Sequence, residues 1–277
     1  MTPSPVATAA PALASLHGTP GLAVRPAAER FHSRHDWLDS RHSFRFAGHD
    51  DPAWRGFGPL LVINDDRIAA GGGFGMHPHR DMEIITVMVE GVLRHRDSMG
   101  HSEALRAGEV QRMSAGTGIV HSEINGADQP CRLLQIWIAP SSAGIAPSYE
   151  QKAYPPATGW TPLIDPDGAG GAMAIHRPVR LWRGRAGEDA ASSQTSTGPG
   201  ASALTCASLP LCQAAEAHGW IQVISGQLSL RLDPAAEREG PLAAVLEAGD
   251  GLGFAPGSSG MLEPLGPDAD VLLFELR

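Results

Sequence analysis

The density of chain-breaking residues sets the first limit on this fold. Of 277 residues, 33 are glycine and 23 are proline, about one in five. Proline removes a backbone donor and glycine removes side-chain restraint, so a helical bundle is disfavoured and short strands joined by tight turns are favoured. The apolar segments between these breaks have strand lengths. Leu60-Leu61-Val62-Ile63 runs into Asn64-Asp65-Asp66, and Glu83 to Glu90 stops at Gly91. Val92 to Arg96 ends at Asp97-Ser98-Met99-Gly100, and Leu133 to Ile138 is stopped by Pro140. Segments of this kind predict an all-β sandwich or barrel. Asn64, Asp65 and Asp97 are expected to shape turns. Helix candidates are short, as around Ala214-Ala215-Glu216.

Composition excludes several classes of function. The formal charge is −9 and the sequence pI about 5.7, so a general nucleic-acid-binding face is not expected. Three cysteines, Cys131, Cys206 and Cys212, give no disulfide framework and are expected to be small buried apolar residues. No uninterrupted apolar run reaches the ~18 residues of a membrane-spanning helix. The segment from Met1 has no basic residue before Arg25 and is broken by prolines, unlike a secretory signal, so the cytoplasm is the expected compartment. Residues 1–24 are expected to form a flexible tail.

The second half repeats the first. Ile85 to Gly91 resembles Trp220 to Gly226, Leu105-Arg106-Ala107-Gly108-Glu109 resembles Leu246-Glu247-Ala248-Gly249-Asp250, and Leu133 to Trp137 resembles Val271 to Phe274. Similarity at this scale predicts a duplicated domain, with extra residues around Pro234 to Gly240 as a turn insertion. Pro140 to Gly171 reads as an irregular linker and Gly184 to Gly200 as a long polar loop.

Chemistry concentrates in the first half. In Gly71 to Glu83, the histidines of His77-Pro78-His79 are two residues apart, so on a strand they face the same way and can grip one ion. Glu83 has the same parity. A second pair, His121 and Glu123, also shares a face. Three imidazoles and a carboxylate suit iron, manganese, nickel, copper or zinc, whereas magnesium or calcium would want oxygen donors. Parity does not choose between Glu83 and Glu123. The loose set His32, His35, His42 and His49 is irregularly spaced and is not expected to hold a metal; Arg80, Asp81 and Gln111 are candidates for supporting the ligands. His218 is expected to be an ordinary surface or packing histidine.

The spacing of the two pairs resembles the two motifs of the cupin superfamily, with Gly71, His77, His79 and Glu83 in the first and Gly108, Gly116, His121 and Asn125 in the second. Gly91 falls one residue late, Ser114 stands where proline is usual, and the second motif has extra residues before its histidine. Those departures resemble one branch, the pirin family. The stretches that carry the resemblance include Trp37 to Phe44, Gly58 to Asp66, His77 to Ile84, His95 to Gly100, Gln111 to Gly118 and His121-Ser122-Glu123. It is dense over about residues 30–150 and weaker beyond 170. The resemblance implies an all-β bicupin of two antiparallel double-stranded β-helix (jelly-roll) barrels. Residues 25–145 would form the N-terminal cupin domain with the metal site, and residues 146–277 a linker and a metal-free C-terminal cupin domain. It implies His77, His79, His121 and Glu123 as ligands of one divalent metal per chain, iron (Fe2+) being usual in the family. Gapless offsets from Gly226 and Gly249 put Cys212, Ala214, Leu262 and Pro264 at the ligand positions of the second half, so the set is not repeated.

Four protein ligands on a six-coordinate ion leave positions open for substrate and dioxygen. The resemblance implies 2,3-dioxygenation of quercetin-like flavonols, with Glu123 as the catalytic proton acceptor, in a chain expected to be monomeric and to bind neither nucleic acid nor membrane. A second reading is a non-enzymatic, redox-sensing iron protein acting on a regulatory protein partner. A third is a metal-dependent isomerase or hydrolase on the same scaffold.

Overall fold

The computed structural model describes residues 11–186, 216–234 and 239–277. After a 3-10 turn at Leu13–Leu16 come β1 (Leu22–Arg25), β2 (Phe31–His35), β3 (Leu38–His42), β4 (Leu60–Ile68) and β5 (Gly73–His79). Next are β6 (Glu83–Glu90), β7 (Val92–Asp97), β8 (Ser102–Arg106), β9 (Glu109–Ser114), β10 (Ile119–Ile124), β11 (Cys131–Ile138) and β12 (Ser148–Ala153). The chain continues through β13 (Gly159–Ile164), β14 (Val179–Arg185), β15 (His218–Ser225), β16 (Gln227–Leu232) and β17 (Leu242–Glu247). It closes with β18 (Gly251–Phe254), β19 (Gly260–Pro264) and β20 (Asp270–Leu276). The helix candidate at Ala214, the polar loop after Ala186, Cys206 and Cys212 lie outside the described residues. Among those described, no helix is long and apolar enough to cross a membrane.

The strands form two β-barrels of the bicupin type. In the first, the sheet β12-β9-β6-β11-β4-β3-β2 covers the sheet β5-β10-β7-β8. In the second, β1-β18-β15-β20-β14-β13 covers β17-β16-β19. The duplication is visible in the order: β9-β6-β11-β4 of one large sheet matches β18-β15-β20-β14 of the other. The matched hairpins turn at Gly91 and Gly226, with φ of 75° and 70°. A Cβ at Gly91 would meet the Cys131 Cβ at 2.8 Å, and one at Gly226 would meet the Ala269 backbone at 2.7 Å.

The two large sheets pack back to back. Alternation along β6 and β11 sends Ile85, Val87, Leu134, Ile136 and Ile138 into a core shared with Trp220, Ile224, Leu272, Phe274 and Leu276 of the second barrel. The intervening residues Met88 and Leu133 face the interior of the first barrel instead. Strands covered on both faces read as unbroken apolar runs, because no face meets water. The interior of the second barrel is apolar, filled by residues such as Ile221, Leu230, Leu262 and Leu273.

Three sequence expectations about the boundaries change. Residues 11–24 are not a free tail: Leu13 and Leu16 are buried against the second barrel, and β1 pairs with β18 from Leu22↔Phe254 to Arg25↔Gly251. The strand before the first barrel therefore completes the second, burying apolar side chains hidden between prolines. The supposed linker carries β12, which pairs with β9 of the first barrel, and β13, which pairs with β14 of the second. Asn64 and Asp65 sit within β4 rather than in a turn. Cross-strand partners make this possible: Arg132 Nε and Nη2 donate to the two Asp65 oxygens at 2.8 and 2.9 Å, and Asn64 Oδ1 lies 2.8 Å from His42 Nδ1.

Gly91→Ala places a side chain in left-handed backbone and against Cys131, so it should cost about 2–4 kcal/mol. Gly144, at φ 73° with open space around its missing Cβ, provides the control. Its alanine variant should lose only about 1–2 kcal/mol. Denaturant midpoints of the two variants check the order; equal losses would show that the Cys131 contact does not matter.

Candidate metal centre

The paired strands β5 and β10 bring the predicted residues together. His77 stands opposite His121 and His79 opposite Ile119. Between His121 and Glu123 the register shifts, so that Glu123 stands opposite Phe74 and β5 carries one residue more than β10. The close approach needs glycine at position 73, where a Cβ would come within 2.3 Å of the Glu123 carbonyl oxygen. The rings of His77, His79 and His121 have centroids 4.4, 4.8 and 4.9 Å apart, and their ligating nitrogens all lie within 4.8 Å of one another. Glu123 forms an adjoining group with His95 and His121, again within 4.8 Å.

Burial separates the four residues. His77 and His79 are half-buried at the mouth, and His121 and Glu123 are buried behind them. Both ring nitrogens of His121 lack a hydrogen-bond partner. Buried polar atoms are normally satisfied, so an imidazole left with neither nitrogen bonded, between two other imidazoles, fits a divalent ion at their centre. The Nδ1–H of His77 donates to the Gly75 carbonyl at 2.7 Å, which leaves Nε2 with its lone pair free. Burial and the neighbouring His77 lower the His79 pKa to about 4. Burial, then His77 and His79, lower His121 to about 3. Both rings are thus neutral at physiological pH, the form that binds metal.

Glu123 is held from the facing sheet. Gln135 Nε2 on β11 donates to both carboxylate oxygens, at 3.1 and 2.8 Å, and Thr86 on β6 donates to Gln135 Oε1 at 2.9 Å. Burial raises the Glu123 pKa above its ordinary value, while the Gln135 hydrogen bonds oppose that rise. Beside it, a cleft of about 130 Å³ is walled by Phe46, Phe74 and Trp137. Trp137 meets His79 edge-on at 4.9 Å. Asp66 also lines the cleft, its pKa raised by burial to about 7, and accepts from the Ser40 hydroxyl.

Glu83 goes elsewhere. Its carboxylate accepts from the Ser114 hydroxyl at 2.6 Å and lies 3.4 Å from His176 Nδ1, with no part in either donor group. A tight turn before β6, with Asp81 at φ 47°, separates it from β5, so parity carried over from His79 no longer applies. Arg80 is exposed beside Asp81, and Asp81 Oδ1 accepts from the Gly144 N–H at 2.7 Å. Gln111 is buried next to Tyr149 rather than at the histidines. Of the N-terminal histidines, His42 is tied to Asn64 and Ser33, and His49 stacks on Phe31 at 5.3 Å. His218 packs edge-on against Phe57.

Thr86, Gln135, Trp137 and His95 were not singled out as site residues from the sequence. His95 and Asp97 share the buried face of β7, and that alternation was a usable signal for His95. The gapless offsets used for the second half also need correction. Through the pairing of β7 and β16 with their partners, His121 matches Gly260 and Glu123 matches Leu262, because the loop before β19 is two residues shorter. Neither side chain can ligate.

A family model described as Pirin matches residues 24–138. A protein of Escherichia coli (strain K12) named quercetin 2,3-dioxygenase is 42% identical over 218 residues, which is 78% of this chain and 87% of that protein. Among solved structures, YhhW from Escherichia coli aligns with a TM-score of 0.77 and 38% identity, covering 92% of this chain and 97% of that one. The structure of bacterial pirin YhhW in complex with nickel(II) aligns at 0.76 and 37%, covering 92% and 99%. With this coverage and identity, the chain belongs to the pirin family.

Proposed function

We propose that the first barrel is a metal-dependent dioxygenase of quercetin-like flavonols, with His77, His79, His121 and Glu123 holding one divalent ion. The observation that carries this reading is a cluster of three imidazoles adjoining a buried, hydrogen-bonded carboxylate through His121, at the wall of an aromatic cleft open to solvent. The name of the Escherichia coli relative supports the substrate class, and the nickel(II) complex of a similar pirin sets nickel beside iron as the ion.

Held by these four residues, the ion would supply Lewis acidity and the capacity to activate dioxygen. The chain's residues do the rest. Phe46, Phe74 and Trp137 offer flat apolar surface to the planar rings and exclude water from one side. Glu123 takes the proton of the flavonol 3-hydroxyl onto a carboxylate oxygen. Gln135 and Thr86 fix the direction in which that oxygen points. The flavonolate then reacts with dioxygen, with ring opening and release of carbon monoxide.

One equivalent of transition metal per chain should survive dialysis, and His79→Ala should strip most of it while the chain stays folded, as metal analysis and circular dichroism would record. Two dialysis-resistant equivalents would contradict a single centre. Glu123→Gln keeps the shape of the side chain and removes its charge. Aerobic loss of flavonol absorbance should slow by ~10²–10⁴ with metal content largely kept. Near-normal turnover in Glu123→Gln together with its loss in Glu83→Gln would move the role to Glu83. A metal-loaded parent protein that consumes no dioxygen with flavonol would favour the non-enzymatic reading.

A further inference from the structure

Where the barrels meet, a polar crevice of about 280 Å³ opens on the outer face of the first barrel's large sheet, away from the metal centre. That volume is near the small end of ligand pockets. Asp39 and Arg41 on β3 stand opposite Arg67 and Asp65 on β4, and Arg132 on β11 stands opposite Arg67. Arg30, just before β2, and the turn at residues 248–249, between β17 and β18, complete the lining.

Four guanidinium groups thus face two carboxylates, in a chain whose formal charge is −9. Asp65 is engaged bidentately by Arg132, whose Nη2 also donates to the Ile224 carbonyl of the second barrel at 2.9 Å. Asp39 is shared among His32 at 3.1 Å and Arg34 and Arg41, each at 3.9 Å. Arg67 reaches Glu90 outside the crevice at 3.5 Å. Arg30 is buried and incompletely satisfied. Its side chain is only 7% exposed, its contact with Asp65 is long at 3.6 Å, and its Nε–H has no acceptor. Gly249 makes room for it, since a Cβ there would lie 2.5 Å from Arg30 Nη2. A buried guanidinium with an unmatched N–H, beside a polar cavity with excess positive charge, is the donor half of an anion site.

We propose that this crevice binds a small, doubly charged oxyanion, a phosphomonoester or a dicarboxylate, through Arg30 and Arg41. The charge excess of the lining matches two negative charges. The planar fork of arginine fits phosphate and carboxylate oxygens alike. Such a ligand touches β3 and β4 of one barrel and the 248–249 turn of the other, so its binding ties the two together.

The test is calorimetric titration of the full, metal-loaded chain at low chloride with inorganic phosphate and, separately, with succinate. One saturable equivalent per chain is expected for at least one of them. Binding of phosphate alone identifies the phosphomonoester class, and binding of succinate alone the dicarboxylate class. Arg41→Gln and Arg30→Gln should each weaken it at least about tenfold. Arg30 is buried and its variant risks misfolding; Arg41, 42% exposed at the rim, tests the same claim without that risk. Absence of saturable binding of both anions at millimolar concentration, equal displacement by chloride, or an affinity unchanged in Arg41→Gln overturns the proposal.

Discussion

The packing of the two large sheets against each other governs what the rest of the molecule can do. It covers the outer faces of β6, β11, β15 and β20 with a single apolar core, the most extensive among the described residues. At about 25 cal/mol per Å² of buried apolar surface, such a layer can carry much of the folding free energy. The inner faces of the barrels are then less constrained. In the first barrel the inner face carries Thr86, Gln135, Glu123 and three imidazoles. The placement of β1 strengthens this arrangement, because it precedes the first barrel in the chain yet completes the second. Separating the barrels would strip a strand from one of them.

Within the first barrel, geometry and electrostatics reinforce each other. The register shift opposite Glu123 gives β5 its extra residue between Phe74 and His77, and it sets the ring of His77 against that of His121 on the neighbouring strand. The same strand pair places His77 and His79 at the mouth and His121 and Glu123 deeper. A buried carboxylate is costly unless its oxygens are matched. Here the match comes from the facing sheet, through one amide whose other end is fixed by Thr86. The carboxylate thereby keeps a fixed direction.

Much of this was legible in the sequence because it is local. A two-residue spacing on a strand fixes which side chains share a face, and so His77 with His79 and His121 with Glu123 could be paired from order alone. The repeat was legible because the hairpin glycines at 91 and 226 must adopt the same left-handed backbone. What escaped notice was non-local. Gln135 lies in an apolar run, and only the pairing of β11 with β6 shows that it reaches Glu123. Asn64 and Asp65 looked like turn residues because their partners, His42 and Arg132, are far away in sequence. Leu13 and Leu16 looked like part of a tail because the surface that buries them belongs to the last third of the chain.

The second barrel shows how complete the specialisation is. By strand register, Thr86 corresponds to Ile221, Gln135 to Leu273, His95 to Leu230 and Glu123 to Leu262. All four replacements are buried in one apolar cluster. Among the described residues, the difference between the barrels therefore extends beyond the candidate ligands to the polar residues around them, which are exchanged for packed apolar ones. Physical cost explains why there is no halfway state. A carboxylate without its amide, or an amide without its carboxylate, would be a buried polar group with no partner, which is worse than either extreme. Once one member of the network is lost, every remaining member becomes a liability, and replacing each by leucine or isoleucine regains the packing. The retained polar interior of the first barrel is consistent with a use that offsets its cost, whereas that of the second has been converted to core.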